Sequence, residues 1–196
     1  MELLLERNRA LNLTAIRDPV LAWDRLVLAS LRLLDAHQWA GDERVADVGS
    51  GGGLPGLPLK IALPGIRLTL VESDQKKAAF LREAIQQLGL EGAEVEARRA
   101  EELGREPRHR ETYDVVVTRA AAKAPVAVEY CLPLARVGGL MLAQANAEDY
   151  RAARRATGQL GGSMRAYRGG VVVIGKGRPT PDTYPRRVGL PAKRPL

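Results

Sequence analysis

Ten residues, Asp47-Val48-Gly49-Ser50-Gly51-Gly52-Gly53-Leu54-Pro55-Gly56, restrict the fold more than any other stretch of this chain. They complete and extend Arg44–Val48, a short β-branched run that reads as a strand. Four glycines among residues 49–53 permit a tight strand-to-helix turn, and without side chains they let a ligand come close to the backbone. Gly51, Gly53 and Gly56 also satisfy G-x-G-x-x-G. That spacing acquires a dinucleotide meaning only where a helix N-terminus is aimed at a pyrophosphate.

Such a turn belongs to a parallel sheet covered by helices, and the rest of the chain alternates accordingly. Strands are predicted near Arg44–Val48, Arg67–Glu72, Ala93–Arg98, Tyr113–Thr118, Leu140–Gln144 and Val171–Gly175. Helices are predicted near Leu57–Ala62, Asp74–Leu88, Ala124–Leu134 and Glu148–Leu160. Ser73 is the expected cap of the second of these, Gly89 its left-handed stop, and Lys77, Leu81, Ala84, Ile85 and Leu88 share one side. Ahead of the sheet, Asp18-Pro19 offers a cap and a first-turn proline. Val20, Trp23, Leu26, Val27, Leu31 and Leu34 then recur at helical spacing, predicting one long amphipathic helix. The five prolines after Arg178 predict an extended tail. The expected organisation is one domain over 1–196: N-terminal helices in 1–40, a Rossmann-like α/β core in 41–178, and a basic, proline-rich tail in 179–196.

The composition narrows the function classes. At 196 residues and 45% apolar the chain can bury a substantial core, which excludes a fibrous or disordered protein. A single cysteine, Cys131, excludes a disulfide scaffold, and two isolated histidines leave little from which to build a metal site, so no metal is expected. No apolar run approaches the roughly 20 residues of a membrane span. Met1–Glu6 lacks a basic, cleavable leader pattern, so a cytoplasmic protein without membrane attachment is expected. The net charge of +7 is unevenly placed. Residues 1–150 carry 19 basic and 22 acidic side chains, whereas 151–196 carry 11 basic and one acidic. A basic field of that kind attracts polyanions through counterion release, which makes a nucleic acid the leading partner class. With one Phe, two Trp and five Tyr, a stacking platform for single strands is not expected.

Two acids separate the possible ligands of the glycine turn. Glu72, at the end of the second strand, could accept hydrogen bonds from the ribose hydroxyls of an adenosine cofactor, an arrangement common to NAD and S-adenosylmethionine. Asp47 ends the first strand, where its charge opposes a pyrophosphate and favours an amino-acid ammonium, and so S-adenosylmethionine. After the fourth strand, Thr118-Arg119-Ala120-Ala121-Ala122-Lys123 should face the crevice where strand order reverses. No Asn/Asp-Pro-Pro-aromatic run follows to hold an exocyclic amine. Cys131 sits within a predicted helix as a core residue, and Asp114 is at the wrong end of its strand to serve as a base. These absences point to an acceptor that is already nucleophilic, such as guanine N7, whose methylation requires mainly orientation and desolvation.

With these residues in place the chain resembles the RsmG (GidB) family of 16S ribosomal RNA guanine-N7 methyltransferases. The resemblance is carried by Asn12-Leu13-Thr14-Ala15-Ile16-Arg17-Asp18-Pro19, by Asp47 to Pro58, and by Glu72-Ser73 with Lys76-Lys77 and Phe80-Leu81. It continues in Arg99-Ala100-Glu101-Glu102, Thr118-Arg119-Ala120, and the tail Tyr184-Pro185-Arg186-Arg187 with Gly189-Leu190-Pro191. It implies a class I S-adenosylmethionine-dependent methyltransferase fold, a doubly wound, mostly parallel sheet with a short N-terminal helical segment. It also implies 16S ribosomal RNA or the small ribosomal subunit as partner; a monomer is expected, although the sequence alone does not give the oligomeric state.

By motif position, Asp47, Gly49, Gly51 and Leu54 should line the methionine and ribose side of the cofactor, Glu72 the ribose, and Ala100 and Glu101 the adenine. Arg119 should stand beside the transferred methyl as the catalytic candidate, while Lys123, Arg186 and Arg187 should meet RNA. The sequence departs from the family pattern at three places. Arg25-Leu26-Val27-Leu28-Ala29-Ser30 stands where the family carries Arg-His-x-x-Asp-Ser, and Ala143-Gln144-Ala145 stands where it carries Leu-Lys-Gly. A His, an Asp and a Lys are thereby absent. The departures leave open a chain that holds cofactor and RNA as an assembly module but methylates weakly. The glycine spacing also leaves open a nicotinamide enzyme, against which Asp47 argues.

Overall fold

Strand β1 (Arg44–Val48) lies between β2 (Arg67–Val71) and β4 (Tyr113–Arg119), parallel to both, at the point where chain order reverses. In this computed structural model, which describes residues 1–119 and 122–196, β3 (Ala93–Glu96), β5 (Ala135–Gln144), β6 (Gly162–Arg168) and β7 (Val171–Lys176) complete one sheet. Its order is β3-β2-β1-β4-β5-β7-β6, and β7 runs antiparallel to both of its neighbours. The helices are α1 (Glu2–Leu11), α2 (Pro19–Ala22), α3 (Ala29–Leu31), α4 (Leu33–Ala36), α5 (Gly56–Ala62) and α6 (Gln75–Leu88). They continue with α7 (Ala100–Leu103), α8 (Ala124–Cys131), α9 (Ala147–Ala152), α10 (Arg154–Gln159) and α11 (Leu190–Lys193). The doubly wound, mostly parallel sheet expected from the sequence is present. Period-two alternation gives it two cores: Val115 and Val117 of β4 pack with Leu68, Leu70 and Phe80 on one face and Val116 with Val128, Leu132 and Met141 on the other, which Tyr113 joins because the register shifts between Tyr113 and Val115.

Several local expectations are corrected. The N-terminal helix is not one regular amphipathic element, because Trp23–Leu28 adopts π geometry between α2 and α3. The widened turn shifts the buried stripe to Ala22, Leu26, Ser30 and Leu33, leaving Val20 and Trp23 exposed at 78% and 53%. Asp18 does cap α2, accepting from Leu21 N at 2.8 Å. The cap of α6 is Asp74, not Ser73, since the Asp74 carboxylate accepts from Lys76 N and Lys77 N. Gly89 ends α6 in the left-handed region as expected (φ 59°). The helix predicted over Glu148–Leu160 is broken at Ala153 into α9 and α10, and that over Ala124–Leu134 stops at Cys131. Strand β6 was not anticipated. Its residues, Gly-Ser-Met-Arg-Ala-Tyr-Arg, lack a β-branched run, and it pairs because β7 offers an edge.

The tail is not simply extended either. It ends in the single turn α11, and buried polar groups hold it against the sheet. Lys176 is fully buried at the end of β7, donating to Leu132 O (2.6 Å), Thr180 Oγ1 (2.6 Å) and the Glu111 carboxylate (2.9 Å). Burial lowers its pKa and Glu111 works against that shift. Lys176→Met should therefore destabilise the fold by about 3 kcal/mol, because it leaves Glu111 without its cation and Leu132 O and Thr180 Oγ1 without their donor. Urea unfolding measures this.

Candidate active site

The glycine turn is fixed from below before any ligand is considered. Gly49 N and Ser50 N donate to Val71 O, which locks the turn to the end of β2, and Ser50 Oγ donates to Asp47 O. Gly51 has a left-handed backbone (φ 52°), and a side chain there would meet no atom nearer than 3.9 Å. The constraint is therefore conformational. At Gly56 it is steric: a methyl group would come within 2.7 Å of Asp47 Oδ2.

Asp47 is fully buried at the end of β1. Its Oδ2 accepts from Gly56 N at 2.9 Å, while Oδ1 has no hydrogen-bond partner among the described residues. Burial pushes the pKa up to about 7, opposed by the Gly56 bond and assisted by the negative charge of Glu72. An unpartnered carboxylate oxygen beneath a glycine turn is what an ammonium group would satisfy. Glu72 is held rigidly, since Oε2 accepts from Gly51 N (3.0 Å) and Oε1 from Asp74 N (2.8 Å). Each oxygen keeps a lone pair for a hydroxyl donor. Val48, Gly49, Gly51, Glu72, Ala100 and Glu101 line a cleft of about 280 Å³ at this edge of the sheet. Leu54, expected on the same side, lines a separate apolar groove with Trp23, Leu57 and Phe80 instead.

A second cleft, of about 540 Å³, opens at the ends of β4 and β5 and is lined by Thr118, Lys123, Ala127, Gln144, Asn146 and Tyr150. Thr118 Oγ1 donates to Val48 O at 2.9 Å, tying this edge to β1. Lys123 is exposed at the start of α8. Ala120 and Ala121 lie outside the described residues. Cys131 is buried, and its thiol is driven up by desolvation and the neighbouring Asp47, so it stays protonated and inert.

The profile described as GidB, rRNA small subunit methyltransferase G, matches residues 1–164. Proteins named ribosomal RNA small subunit methyltransferase G are similar over nearly the whole chain. That of Moorella thermoacetica is 44% identical, covering 99% of this chain and 86% of that protein, and that of Pelotomaculum thermopropionicum is 46% identical, covering 99% and 87%. The chain belongs to the GidB family. Among solved structures, MtNAS in complex with MTA and tNA superposes with TM-score 0.58 at 17% identity, covering 91% of this chain and 71% of that one. TYW2 of P. horikoshii in complex with MeSAdo superposes with TM-score 0.57 at 17% identity, covering 76% and 60%. These two likenesses concern the fold.

The three departures from the GidB pattern meet in space. Arg119, half-buried at the end of β4, donates to Arg25 O (2.7 Å) and Leu26 O (3.4 Å) of the π segment, and Gln144 Nε2 donates to Ala29 O. Burial lowers the Arg119 pKa, and among the described residues no carboxylate pairs with it. Position 144 thus reaches the backbone of position 29, the two positions at which the resemblance led to the expectation of Lys and Asp. An amide-to-carbonyl bond stands here, and Gln144 Oε1 is left buried without a partner among the described residues. Ala29→Asp alone should destabilise the chain, and Gln144→Lys in addition should recover about 1 kcal/mol or more of coupling. A double-mutant cycle by thermal unfolding measures it.

The two tail arginines differ. Arg187 is exposed. Arg186 is committed to Glu129, a carboxylate with no exposed surface, through Nη2 (2.6 Å), Nε (2.9 Å) and its backbone N–H (2.8 Å). The expectation that both arginines are free for RNA needs revision for Arg186. Likewise Glu101 is only 3% exposed and spends one oxygen on Gly189 N (2.9 Å). Of the 11 cations after residue 150, Lys176 and Arg186 are neutralised internally, and the other nine are exposed. The sequence reading missed Lys176, Glu111 and Glu129. A single charge inside an apolar run, as in Val-Val-Val-Ile-Gly-Lys or Ala-Pro-Val-Ala-Val-Glu, was the signal available.

Proposed function

We propose that this chain transfers a methyl group from S-adenosylmethionine to N7 of a guanine in small-subunit (16S) ribosomal RNA. The observation that carries the proposal is the pairing of a buried, half-unpartnered Asp47 with a rigid Glu72 across a glycine turn, in a chain of the GidB family. Asp47 would hold the cofactor ammonium, the Gly49 and Gly51 backbone would admit its methionine and ribose, and Glu72 would accept from the ribose hydroxyls. Ala100 and Glu101 would wall the adenine side. When bound, the cofactor supplies a methyl group activated by its sulfonium. That methyl carbon would go to the N7 lone pair with cleavage of the carbon–sulfur bond, which would release a neutral thioether and leave the positive charge on the purine. N7 carries no proton, so the transfer requires no general base and no metal.

The acceptor belongs in the cleft at β4 and β5. Lys123 lines that cleft, and Arg119, next to Thr118 of its lining, retains N–H donors beyond the two bound to the π segment; both would orient the base or its phosphate. Arg187 and the other exposed C-terminal cations would contact phosphates. Among the described residues no helix is long and apolar enough to cross a membrane. We place the enzyme in the cytoplasm, acting as a monomer. The test is transfer of labelled methyl from S-adenosylmethionine to small-subunit RNA, naked and in particles, from cells lacking the protein. Label recovered as N7-methylguanine is the expected result. Label elsewhere, or none despite cofactor binding, overturns the proposal.

A further inference from the structure

Two helices that wall the cofactor cleft take hydrogen bonds from the tail. On α7, Glu101 lines the cleft and accepts from Gly189 N. On α8, Tyr130 lines the cleft, and its neighbour Glu129 accepts three N–H groups of Arg186. Between these points Arg110 donates to Gly104 O (2.8 Å), Thr180 O (2.7 Å) and Tyr184 O (2.7 Å). Gly104, just past α7, is so close to the tail that a methyl group there would come within 2.9 Å of Pro185 Cγ. The tail is therefore a strap across α7 and α8, and its firmest fastening is the forked guanidinium of Arg186 on a fully buried carboxylate.

We propose that Arg186 is a positioning residue for the cofactor cleft and not a phosphate ligand. Held by Glu129, it seats the strap so that Gly189 fixes Glu101 in the cleft wall. Without Arg186, Glu129 is left buried and unpaired, a state that forces the carboxylate to rearrange or admit water. Tyr130 then moves with its helix, and Glu101 loses the amide that holds it. The neighbouring Arg187, exposed and without a carboxylate partner, has the character of a phosphate contact. The inference rests on reading this cleft as the S-adenosylmethionine site.

The experiment uses the full chain and measures two affinities, S-adenosylmethionine by calorimetry and naked small-subunit ribosomal RNA by filter binding. Arg186→Gln is expected to weaken cofactor binding about 10-fold, roughly 1.4 kcal/mol, with little change toward RNA. Arg187→Gln is expected to do the reverse. Arg186→Lys discriminates charge from geometry: a phosphate ligand is rescued by lysine, whereas a fork on a buried carboxylate is not. Glu129→Gln guards against a folding artefact, because it removes no surface cation and keeps the side-chain volume. It should weaken the cofactor and spare RNA. The inference is overturned if Arg186→Gln lowers RNA affinity while cofactor affinity stays as in the parent, or if Arg186→Lys restores RNA binding lost in Arg186→Gln. Should the parent chain itself fail to bind S-adenosylmethionine, or Glu72→Ala leave its affinity untouched, the reading of the cleft fails first, and the two failures are told apart.

Discussion

Glu72→Ala should abolish most of the affinity for S-adenosylmethionine, by about 100-fold or more. The side chain does two jobs at once. Its oxygens tether Gly51 N and Asp74 N, which sets the shape of the turn and the start of α6, and in the proposed function their remaining lone pairs would accept from the ribose. Hydrogen bonds to a charged acceptor contribute about 1.5–3 kcal/mol each, so losing two ribose bonds alone removes about 3 kcal/mol or more, and tenfold in affinity corresponds to about 1.4 kcal/mol. Glu72→Gln keeps the volume and one acceptor and should fall between. Calorimetric titration decides the matter, and an alanine variant that binds like the parent would remove Glu72 from the site.

Asp47→Asn should separate stability from binding. The carboxyl has a folded-state pKa of about 7 against an ordinary value of 3.8, so between these values the folded chain retains a proton that the unfolded chain has released. Stability therefore falls as pH rises through that window, by about 1.4 kcal/mol per unit and about 4 kcal/mol in all, and is level above it. The cause is chiefly desolvation, increased by the nearby charge of Glu72; Cys131, also close, stays neutral. Asparagine carries no such charge. At pH 8 the variant should unfold at a higher temperature than the parent, and at pH 3.5 the difference should vanish. Its cofactor affinity should nevertheless be lower, because a neutral amide cannot balance an ammonium. In the parent, that affinity should climb as pH rises toward about 7 and fall again once the ammonium loses its proton near about 8, whereas in Asp47→Asn the climb should be absent. A parent whose binding ignores pH would show that Asp47 is not the ammonium partner.

The strand pattern was legible because strands buried on both faces are rich in apolar residues, as Val115–Val117 and Val171–Ile174 are. Gly89 and Asp18 were legible because caps are local chemistry. The π segment was not. The period of Val20, Trp23, Leu26 and Leu31 fits a regular helix, and the contacts that Arg119 and Gln144 make with the carbonyls of Arg25, Leu26 and Ala29 come from strands more than 90 residues away. Strand β6 was hidden for a similar reason: its residues have little strand preference, and the exposed edge of β7 supplies the ladder.

At the site, what the sequence by itself determined is the chemistry that local order dictates: the glycine turn at the end of β1, an acid at each of two neighbouring strand ends, and a surplus of positive charge beyond residue 150. What only the tertiary structure decided is which charges remain available. Arg186 and Arg187 are adjacent and chemically identical in the sequence, yet one is spent on the buried Glu129 and the other is exposed. Leu54 lies within the glycine motif yet lines a different groove. The physical reason is that charge pairing and burial are properties of side chains brought together across the fold, here over 57 residues between Glu129 and Arg186 and 88 between Glu101 and Gly189. A local pattern records what a residue can do, and its partners in space decide what it does.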